Sequence, residues 1–376
     1  MNLEVEVVSR EIVQPSSPTP DRLRSYQLSS LDQIIPSIYN PWVMFYPEIC
    51  DTEANKIKTS DQLKQSISKA LTYFYPLAGR MALDNISVEC NDEGIPFLEA
   101  RVKSKLWDVT SNPVPSELNK LLPFDLYDDL EEFPMGIQFN IFECGGIGIG
   151  LCINHKIGDA LSFFTFVNLW AAIARGDKKL VAPELGLASL FPPRDLSGLT
   201  LINLPKPKEK LINKRFVFSA SKIEKIRGKC ASLENQTRPT RVEALSAFIW
   251  SRFVAAIENL VTQFRESIKE LDEEYVKKLQ DGYNRIDYMT EITAGYGEII
   301  VLSFTSLCRF PIYEADFGWG RPIWVCSAAR NMMNLVVFID TVDGKGIEAW
   351  ICLKEEDMAK FESDDEILAS IAAKSF

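Results

Sequence analysis

The stretch Gly148–Trp170, GIGLCINHKIGDALSFFTFVNLW, decides how the rest of the chain is interpreted. Its first residues belong to Ile147–Ile153, a short apolar run whose length and residue types predict a buried strand. From Leu161 to Ala174 apolar residues recur at helical spacing, and Gly176 stands where such a helix would end. A polar turn joins the two elements and contains His155. We therefore predict a strand–turn–helix unit that holds an imidazole at the edge of a cleft.

His155 is the only histidine among 376 residues, so any imidazole chemistry in this protein depends on it. An imidazole, with an ordinary pKa near 6.5, is well matched to taking a proton from a hydroxyl at neutral pH. The alternative for a lone histidine is a satisfied core residue with no chemical role. Cys152 lies three residues earlier, where strand alternation turns it to the opposite face, so a Cys–His nucleophile pair is disfavoured.

Length and composition narrow the class of protein. A chain of 376 residues suggests two domains, and 46% hydrophobic with 25% charged residues is ordinary for a globular protein. The net charge of −11 argues against nucleic acid and anionic membrane partners. We find no apolar run near the ~20 residues that span a bilayer, and the alternating start predicts an edge strand instead of a signal peptide. Eight cysteines without a C-x-x-C pair, and one histidine, predict reduced thiols and no metal site.

Two short motifs look like a phosphate-binding loop and a protein-kinase motif, but the surrounding sequence excludes both interpretations. Gly145, Gly146, Gly148 and Gly150 look like a phosphate-binding loop, but they lead into a predicted strand instead of opening a helix. The Asp-Phe-Gly run at Asp316–Gly318 is also found in protein kinases, yet no glycine-rich loop, strand lysine or H-R-D motif accompanies it. Neither a dinucleotide-binding protein nor a kinase is predicted.

The spacing His155-x-x-x-Asp159, with the later run Asp316–Gly320 (DFGWG), resembles the two signature motifs of the plant BAHD acyltransferases. The first motif alone is weak, and the second, in the right order and well downstream, makes the match specific. The blocks Tyr73–Arg80 and Arg241–Trp250 are similar to further family blocks, so the resemblance covers nearly the whole chain. Within the family, the sequence is most similar to the vinorine synthase-like, alkaloid-acetylating branch.

The resemblance implies a mixed α/β fold of two chloramphenicol-acetyltransferase-like domains, each with a mixed sheet, and a channel between them. It implies an acyl-CoA-dependent O-acyltransferase that acetylates a hydroxyl of an alkaloid or terpenoid-type plant metabolite. His155 would be the general base, with direct transfer and no acyl-enzyme. Acyl-CoA, as acetyl-CoA, would be a co-substrate, with no permanently bound cofactor. The expected partners are therefore this donor and a small alcohol, and we expect a cytoplasmic monomer.

The resemblance also assigns roles to other residues. By spacing alone Asp159 could orient His155 as a dyad; in the family the aspartate points away and pairs with an arginine, and we favour that structural role. Gly158 belongs to the same turn. The DFGWG residues Asp316, Phe317, Gly318, Trp319 and Gly320 are expected to form a structural turn. Channel or oxyanion candidates are Ser303, Thr305 and Ser306, followed by Leu307 where the family usually has tryptophan.

Domain boundaries follow from composition and from the family order. We predict an N-terminal domain over 1–176, a proline- and lysine-rich crossover over 177–213, and a C-terminal domain over 214–376 that carries DFGWG. Basic residues of the crossover are candidates for meeting coenzyme phosphates, with a solvated linker as the alternative: Lys206, Lys208, Lys210, Lys214 and Arg215. Near 257–260 a family segment containing an Asn-x-Arg signature is missing. Its absence leaves a second hypothesis, a catalytically impaired relative that acts as a binding or interaction protein.

Overall fold

The computed structural model describes residues 2–47, 49, 52–126, 133–195, 210–230, 238–254 and 301–371. Contacts between residues divide the chain into two units. The first comprises Met1–Pro205 with Phe310–Arg330, and the second comprises Lys206–Arg309 with Asn331–Phe376. The mixed α/β class predicted from the sequence is confirmed.

Strands within the described residues are, in chain order, β1 (Val5–Val13), β2 (Ser25–Gln27), β3 (Tyr39–Tyr46), β4 (Arg80–Met81), β5 (Ser87–Glu89), β6 (Ile95–Val102), β7 (Met135–Phe142), β8 (Ile147–Asn154), β9 (Leu211–Phe218), β10 (Ser303–Ser306), β11 (Trp324–Ser327), β12 (Leu335–Asp340) and β13 (Ile347–Lys354). Helices in the same part of the chain are α1 (Ser30–Gln33), α2 (Glu53–Tyr73), α3 (Leu106–Ser111), α4 (Pro115–Leu118), α5 (Ala160–Arg175), α6 (Leu187–Leu190), α7 (Ala220–Cys230), α8 (Arg241–Val254), α9 (Glu355–Glu362) and α10 (Asp365–Ser370). Short 3-10 helices lie at Asp21–Leu23, Tyr75–Ala78 and Asn119–Leu121.

The first unit is built on a mixed sheet with the strand order β1-β6-β7-β8-β3-β11, and a small sheet has the order β2-β5-β4. In the larger sheet β6 and β7 are parallel, while the other neighbours are antiparallel. Every residue of β8 is buried, as its continuous apolar run predicted.

Glycines in β8 serve packing. A Cβ on Gly150 would lie 1.8 Å from the carbonyl oxygen of Leu121, and one on Gly148 would lie 3.3 Å from the ring of Phe142. Only a residue without a side chain lets the Asn119–Leu121 helix approach β8 this closely. The phosphate-loop interpretation is therefore rejected on structural grounds as well.

Helix α5 follows β8 and begins and ends at recognised caps. Asp159 is the N-cap, and Gly176 closes the helix with φ +80°, a left-handed conformation that favours glycine. The buried face carries Phe163 and Phe164, whose ring centroids lie 5.9 and 5.3 Å from that of Trp42 on β3. The aromatic packing fixes the helix on the sheet, so the turn before it has a defined position.

The DFGWG segment differs from its predicted domain. We expected it in a C-terminal domain over 214–376, but Phe310–Arg330 belongs to the first unit. The physical reason is strand pairing: β11 lies antiparallel to β3, with Trp324 opposite Phe45 and Ser327 opposite Trp42. The chain therefore leaves the second unit, adds strand β11 to the first unit's sheet, and then returns to the second unit.

The second unit has a sheet with the order β10-β12-β13-β9, in which β10 and β12 are parallel. Its core is packed between one face of this sheet and helices α7, α8 and α9, and includes Phe216, Phe218, Ile223, Leu245, Met358 and Phe361. Positions 257–260, near which the sequence analysis placed a missing family segment, lie outside the described residues. Among the described helices, none is long and apolar enough to cross a membrane.

Candidate active site around His155

Asn154, the last residue of β8, organises the turn that carries the imidazole. Its backbone carbonyl accepts hydrogen bonds from the amides of Ile157 (3.0 Å) and Gly158 (3.1 Å). Its side-chain Oδ1 accepts from the amide of Lys156 (3.0 Å), and its Nδ2 donates to Oγ of Ser37 (3.1 Å). An asparagine side chain that bonds to the backbone two residues on is an Asx turn, which tightens the loop.

His155 itself is tied to β3 through its main chain. Its amide donates to the carbonyl of Ile38 at 2.8 Å, extending the β3–β8 ladder by one residue. The imidazole is half-buried, and its Nδ1 is buried without a hydrogen-bond partner among the described residues.

The surroundings lower the pKa of His155. Burial is the main cause, because removal from water disfavours the charged imidazolium. Backbone groups of His155 and Gly158 and the carboxylate of Asp159 raise the pKa, while the positive charge of Arg330 lowers it. The lowered pKa keeps the ring neutral at physiological pH, the form that can accept a proton.

Asp159 caps helix α5 and does not form a dyad with His155. Its Oδ1 accepts a hydrogen bond from the amide of Ser162 at 2.8 Å, and the residue is exposed. Among the described residues, neither an ion pair of Asp159 nor a hydrogen bond between Asp159 and the imidazole occurs. Gly158 beside it is buried, and a Cβ there would lie 2.6 Å from Cδ1 of Ile153. The turn thus needs a small residue at 158 and a capping side chain at 159.

Cys152 is not available as a nucleophile. It is fully buried, and burial raises the pKa of its thiol. A thiolate is the reactive form of cysteine, so this environment keeps the side chain inert. The strand places Cys152 on the opposite face from His155, in agreement with the prediction.

The DFGWG segment forms a tight turn closed by its own aspartate. Asp316 Oδ1 accepts from the amides of Gly318 (2.8 Å) and Gly320 (2.9 Å). Both glycines have positive φ, +105° and +103°, which explains why the turn requires them.

This turn is fixed to helices α2 and α5. Phe317 is buried, and its ring meets that of Trp170 edge to face with a centroid distance of 4.7 Å. Its carbonyl accepts from Nε2 of Gln62 at 3.1 Å, and Arg175 donates to the carbonyl of Asp316. Trp319 stacks on Phe317 at 5.5 Å. These contacts make the segment a brace for α5, the helix that Asp159 caps.

The oxyanion candidates lie in the second unit, on strand β10, which is an outer strand of the sheet that the described residues form. Ser303 and Thr305 are exposed, and Ser306 Oγ accepts from the amide of Cys308 at 3.3 Å. Their predicted role at the reaction centre stays a prediction. Leu307 is buried.

Described members of the basic crossover cluster are engaged by glutamates. Lys210 pairs with Glu355 at 2.6 Å, and Lys214 pairs with Glu362. Arg215 makes a bidentate pair with Glu348 at 2.8 and 2.6 Å, where only 2% of Glu348 is exposed. Lys206 and Lys208 lie outside the described residues. These pairs favour a structural role over the binding of coenzyme phosphates.

Sequence reasoning missed two residues close to His155. Asn154 carried a usable signal, because asparagine at the end of a strand and before a turn is typical of an Asx turn. Arg330 carried none, since 175 positions separate it from His155 and only the pairing of β11 with β3 brings it near. Within the described residues no cluster of three His, Cys, Asp or Glu could hold a metal ion.

Two mixed α/β units, with HxxxD on a strand–turn–helix and a DFGWG turn packed against the same helix, agree with the architecture that the resemblance to the BAHD acyltransferases implies. The Transferase family model matches residues 3–260 and 254–368 of the chain. The protein therefore belongs to this family, the BAHD transferases, and is an acyltransferase.

Individual relatives agree with this assignment. The chain is 36% identical to stemmadenine O-acetyltransferase of Catharanthus roseus, over 96% of this chain and 97% of that protein. It is 34% identical to a limonoid 21-O-acetyltransferase of Melia azedarach, over 98% of both. The crystal structure of vinorine synthase matches with a TM-score of 0.83 and 32% identity, covering 98% of each chain.

The alignments also locate a difference from these relatives. The match to stemmadenine O-acetyltransferase spans 421 positions while this chain has 376 residues, so at least 45 positions of that match have no residue here. The two matches to the family model meet at residues 254–260, where the sequence suggested a missing segment.

Proposed function

We propose that this protein transfers an acetyl group from acetyl-CoA to a hydroxyl of an alkaloid- or terpenoid-type metabolite, with His155 as the general base. The observation that carries the mechanism is the single imidazole, half-buried, with a lowered pKa, at the end of β8. The choice of acetyl donor and hydroxyl acceptor is supported by the relatives, which are named as O-acetyltransferases acting on stemmadenine and on a limonoid.

The proton and bond changes balance without a covalent enzyme intermediate. The neutral imidazole of His155 takes the acceptor's hydroxyl proton as the oxygen forms a bond to the thioester carbonyl carbon. Collapse of the tetrahedral intermediate breaks the carbon–sulfur bond, and the thiolate of coenzyme A receives the proton from the imidazolium. Direct transfer is supported by the burial and raised pKa of Cys152, the nearest cysteine in the sequence. Backbone or hydroxyl donors to the oxyanion, among them Ser303, Thr305 and Ser306, stay candidates.

A binding test comes first because it does not need the acceptor. At about 100 times its dissociation constant, coenzyme A should stabilise the protein by about 2.7 kcal/mol. We expect the melting temperature to rise by roughly 2–4 °C for a protein of this size. A cooperative melt without any shift would contradict donor binding and favour the impaired relative that the missing segment suggested.

Turnover tests the base. Acetyl-CoA and a panel of alkaloid and terpenoid alcohols are incubated with wild type, His155→Gln and the control Arg101→Gln, which changes an exposed residue of β6, and the acetyl ester is measured by mass spectrometry. We expect His155→Gln to lose at least about 100-fold in kcat/KM, the usual contribution of a general base, while Arg101→Gln stays near wild type. A His155→Gln protein with nearly full turnover would overturn the assignment. Sedimentation would test the expected monomer.

A further inference from the structure

Arg330 lies on the same face of the first unit's sheet as His155. Ile153 on β8 pairs with Asn40 on β3, and His155 is two residues beyond Ile153. Because side chains alternate along a strand, Ile153, His155 and Asn40 face the same side. The guanidinium of Arg330 donates to Oδ1 of Asn40 at 2.6 Å, which places its charge on that side.

Further contacts fix the guanidinium in place. Its Nε donates to Oγ of Ser327 at 3.1 Å, and its Cζ lies 6.0 Å from the ring centroid of Trp42. Trp42 is buried at the α5 face and packs against Phe164. An arginine is charged at every pH that proteins experience, so this arrangement is a permanent positive charge with a defined position.

We propose that Arg330 is a positioning residue for the reaction: a cation fixed on the same side of the sheet as His155 that opposes the build-up of positive charge on the imidazole. This inference rests on the proposed function, because a neutral imidazole matters only if His155 is the base. It goes further by assigning the control of that base to a residue outside both signature motifs.

Three other charged groups lie near the imidazole: Asp159, Asp32 and Lys156. Asp159, at the start of α5, opposes Arg330 by favouring the imidazolium. Asp32 in α1 also interacts with His155, and its carboxylate is held by the amide and hydroxyl of Ser29 at 3.0 and 2.6 Å. Lys156, adjacent in sequence and 7% exposed, is a second cation in the same turn. The cation of Arg330 therefore acts in the same direction as burial, the larger cause, and against the carboxylate of Asp159.

The single histidine makes a direct measurement possible. Protein labelled with 13C-histidine, and purified through a histidine-free tag, has one imidazole, so every titrating resonance belongs to His155. We expect Arg330→Gln to raise the pKa of His155, changing its ionisation constant by at least about twofold. Arg330→Lys should stay near wild type. Arg101→Gln, which removes an exposed arginine from β6, is the control for net charge and should change nothing.

Activity supplies the second readout. The acid limb of the pH profile of kcat/KM should move upward in Arg330→Gln by the same factor as the NMR titration, and a loss of structure alone would not move it. An unchanged titration in folded Arg330→Gln would overturn the proposal. If that variant does not fold, Asn40→Ala releases the guanidinium and should raise the pKa in the same direction. Failure of the proposed function would appear separately: His155→Gln would still turn over, while Arg330→Gln would still show the shifted titration of His155.

Discussion

Replacing Asp159 separates two roles that the HxxxD motif allows. As the N-cap of α5, its carboxylate accepts one backbone hydrogen bond, from the amide of Ser162 at 2.8 Å. Asparagine caps helices about as well as aspartate, whereas alanine in place of a cap costs roughly 0.5–2 kcal/mol. We therefore expect Asp159→Ala to lose about 1 kcal/mol and Asp159→Asn to lose no more than a few tenths.

An aspartate in a buried ion pair would behave differently. Removing one member of such a pair costs about 3–5 kcal/mol, and asparagine removes the charge as completely as alanine does. Asp159 is exposed, and among the described residues it has no ionic partner. The two roles thus predict different stabilities for Asp159→Asn. If Asp159 is a cap, its stability is close to that of wild type; if Asp159 belongs to an ion pair, its stability is close to that of Asp159→Ala.

Urea unfolding followed by tryptophan fluorescence measures the difference. The free energies of unfolding of wild type, Asp159→Asn and Asp159→Ala are compared at equal m-values, with Asp61→Ala, an exposed aspartate in α2, as a control expected within about 0.5 kcal/mol of wild type. A loss near 3 kcal/mol in Asp159→Asn would refute the cap as the main role. It would instead require a cationic partner for Asp159 in a part of the chain that the structure does not describe.

Three further predictions concern the neighbouring residues. Since burial lowers the pKa of His155, the unfolded chain binds the proton more tightly, and native stability is lost as pH falls below about 6.5. Between pH 8 and pH 5 the melting temperature should therefore fall less steeply in His155→Gln than in wild type. Equal slopes in the two proteins would contradict this prediction. Lys156 is 7% exposed and burial lowers its pKa, because a charge is disfavoured there. Lys156→Met should therefore stabilise the protein by about 1 kcal/mol and raise its melting temperature. The exposed control Lys178→Met should show no such rise. Gly150→Ala should destabilise the protein by about 2 kcal/mol or more, since its Cβ would lie 1.8 Å from a backbone oxygen. Gly228→Ala, on a helix and without near neighbours, should instead increase the free energy of unfolding by up to about 1 kcal/mol. Denaturant unfolding of both variants measures the difference, and equal effects would contradict the packing argument.

Local signals explain what the sequence could predict about the site. The apolar run of β8, the helical spacing of α5 and the glycine at 176 act within a few residues, so the strand, helix and C-cap were visible in advance. The close approach of Leu121 to Gly150 was not, because a glycine in a strand does not reveal which backbone approaches it.

Non-local pairing explains what the sequence could not predict. The DFGWG turn follows residues of the second unit in the chain, yet β11 pairs with β3, about 280 residues earlier. No local pattern encodes that choice of partner, so the motif was assigned to the wrong side of a domain boundary. The same pairing brings Arg330 to Asn40, which is why the cation beside His155 could be found only in three dimensions.

The supports of the imidazole and the shortened part of the chain are separable. Among the described residues, His155 is held by Ile38, Asn154 and the turn into α5, with Arg330 alongside, and all of these belong to the first unit. The family match breaks at 254–260, in the second unit. A protein that fails to bind coenzyme A should therefore still titrate with a lowered His155 pKa, and Arg330→Gln should still raise it. If loss of donor binding were instead accompanied by an ordinary imidazole pKa, the two parts would have to be coupled, and the missing positions would count as part of the support for the base.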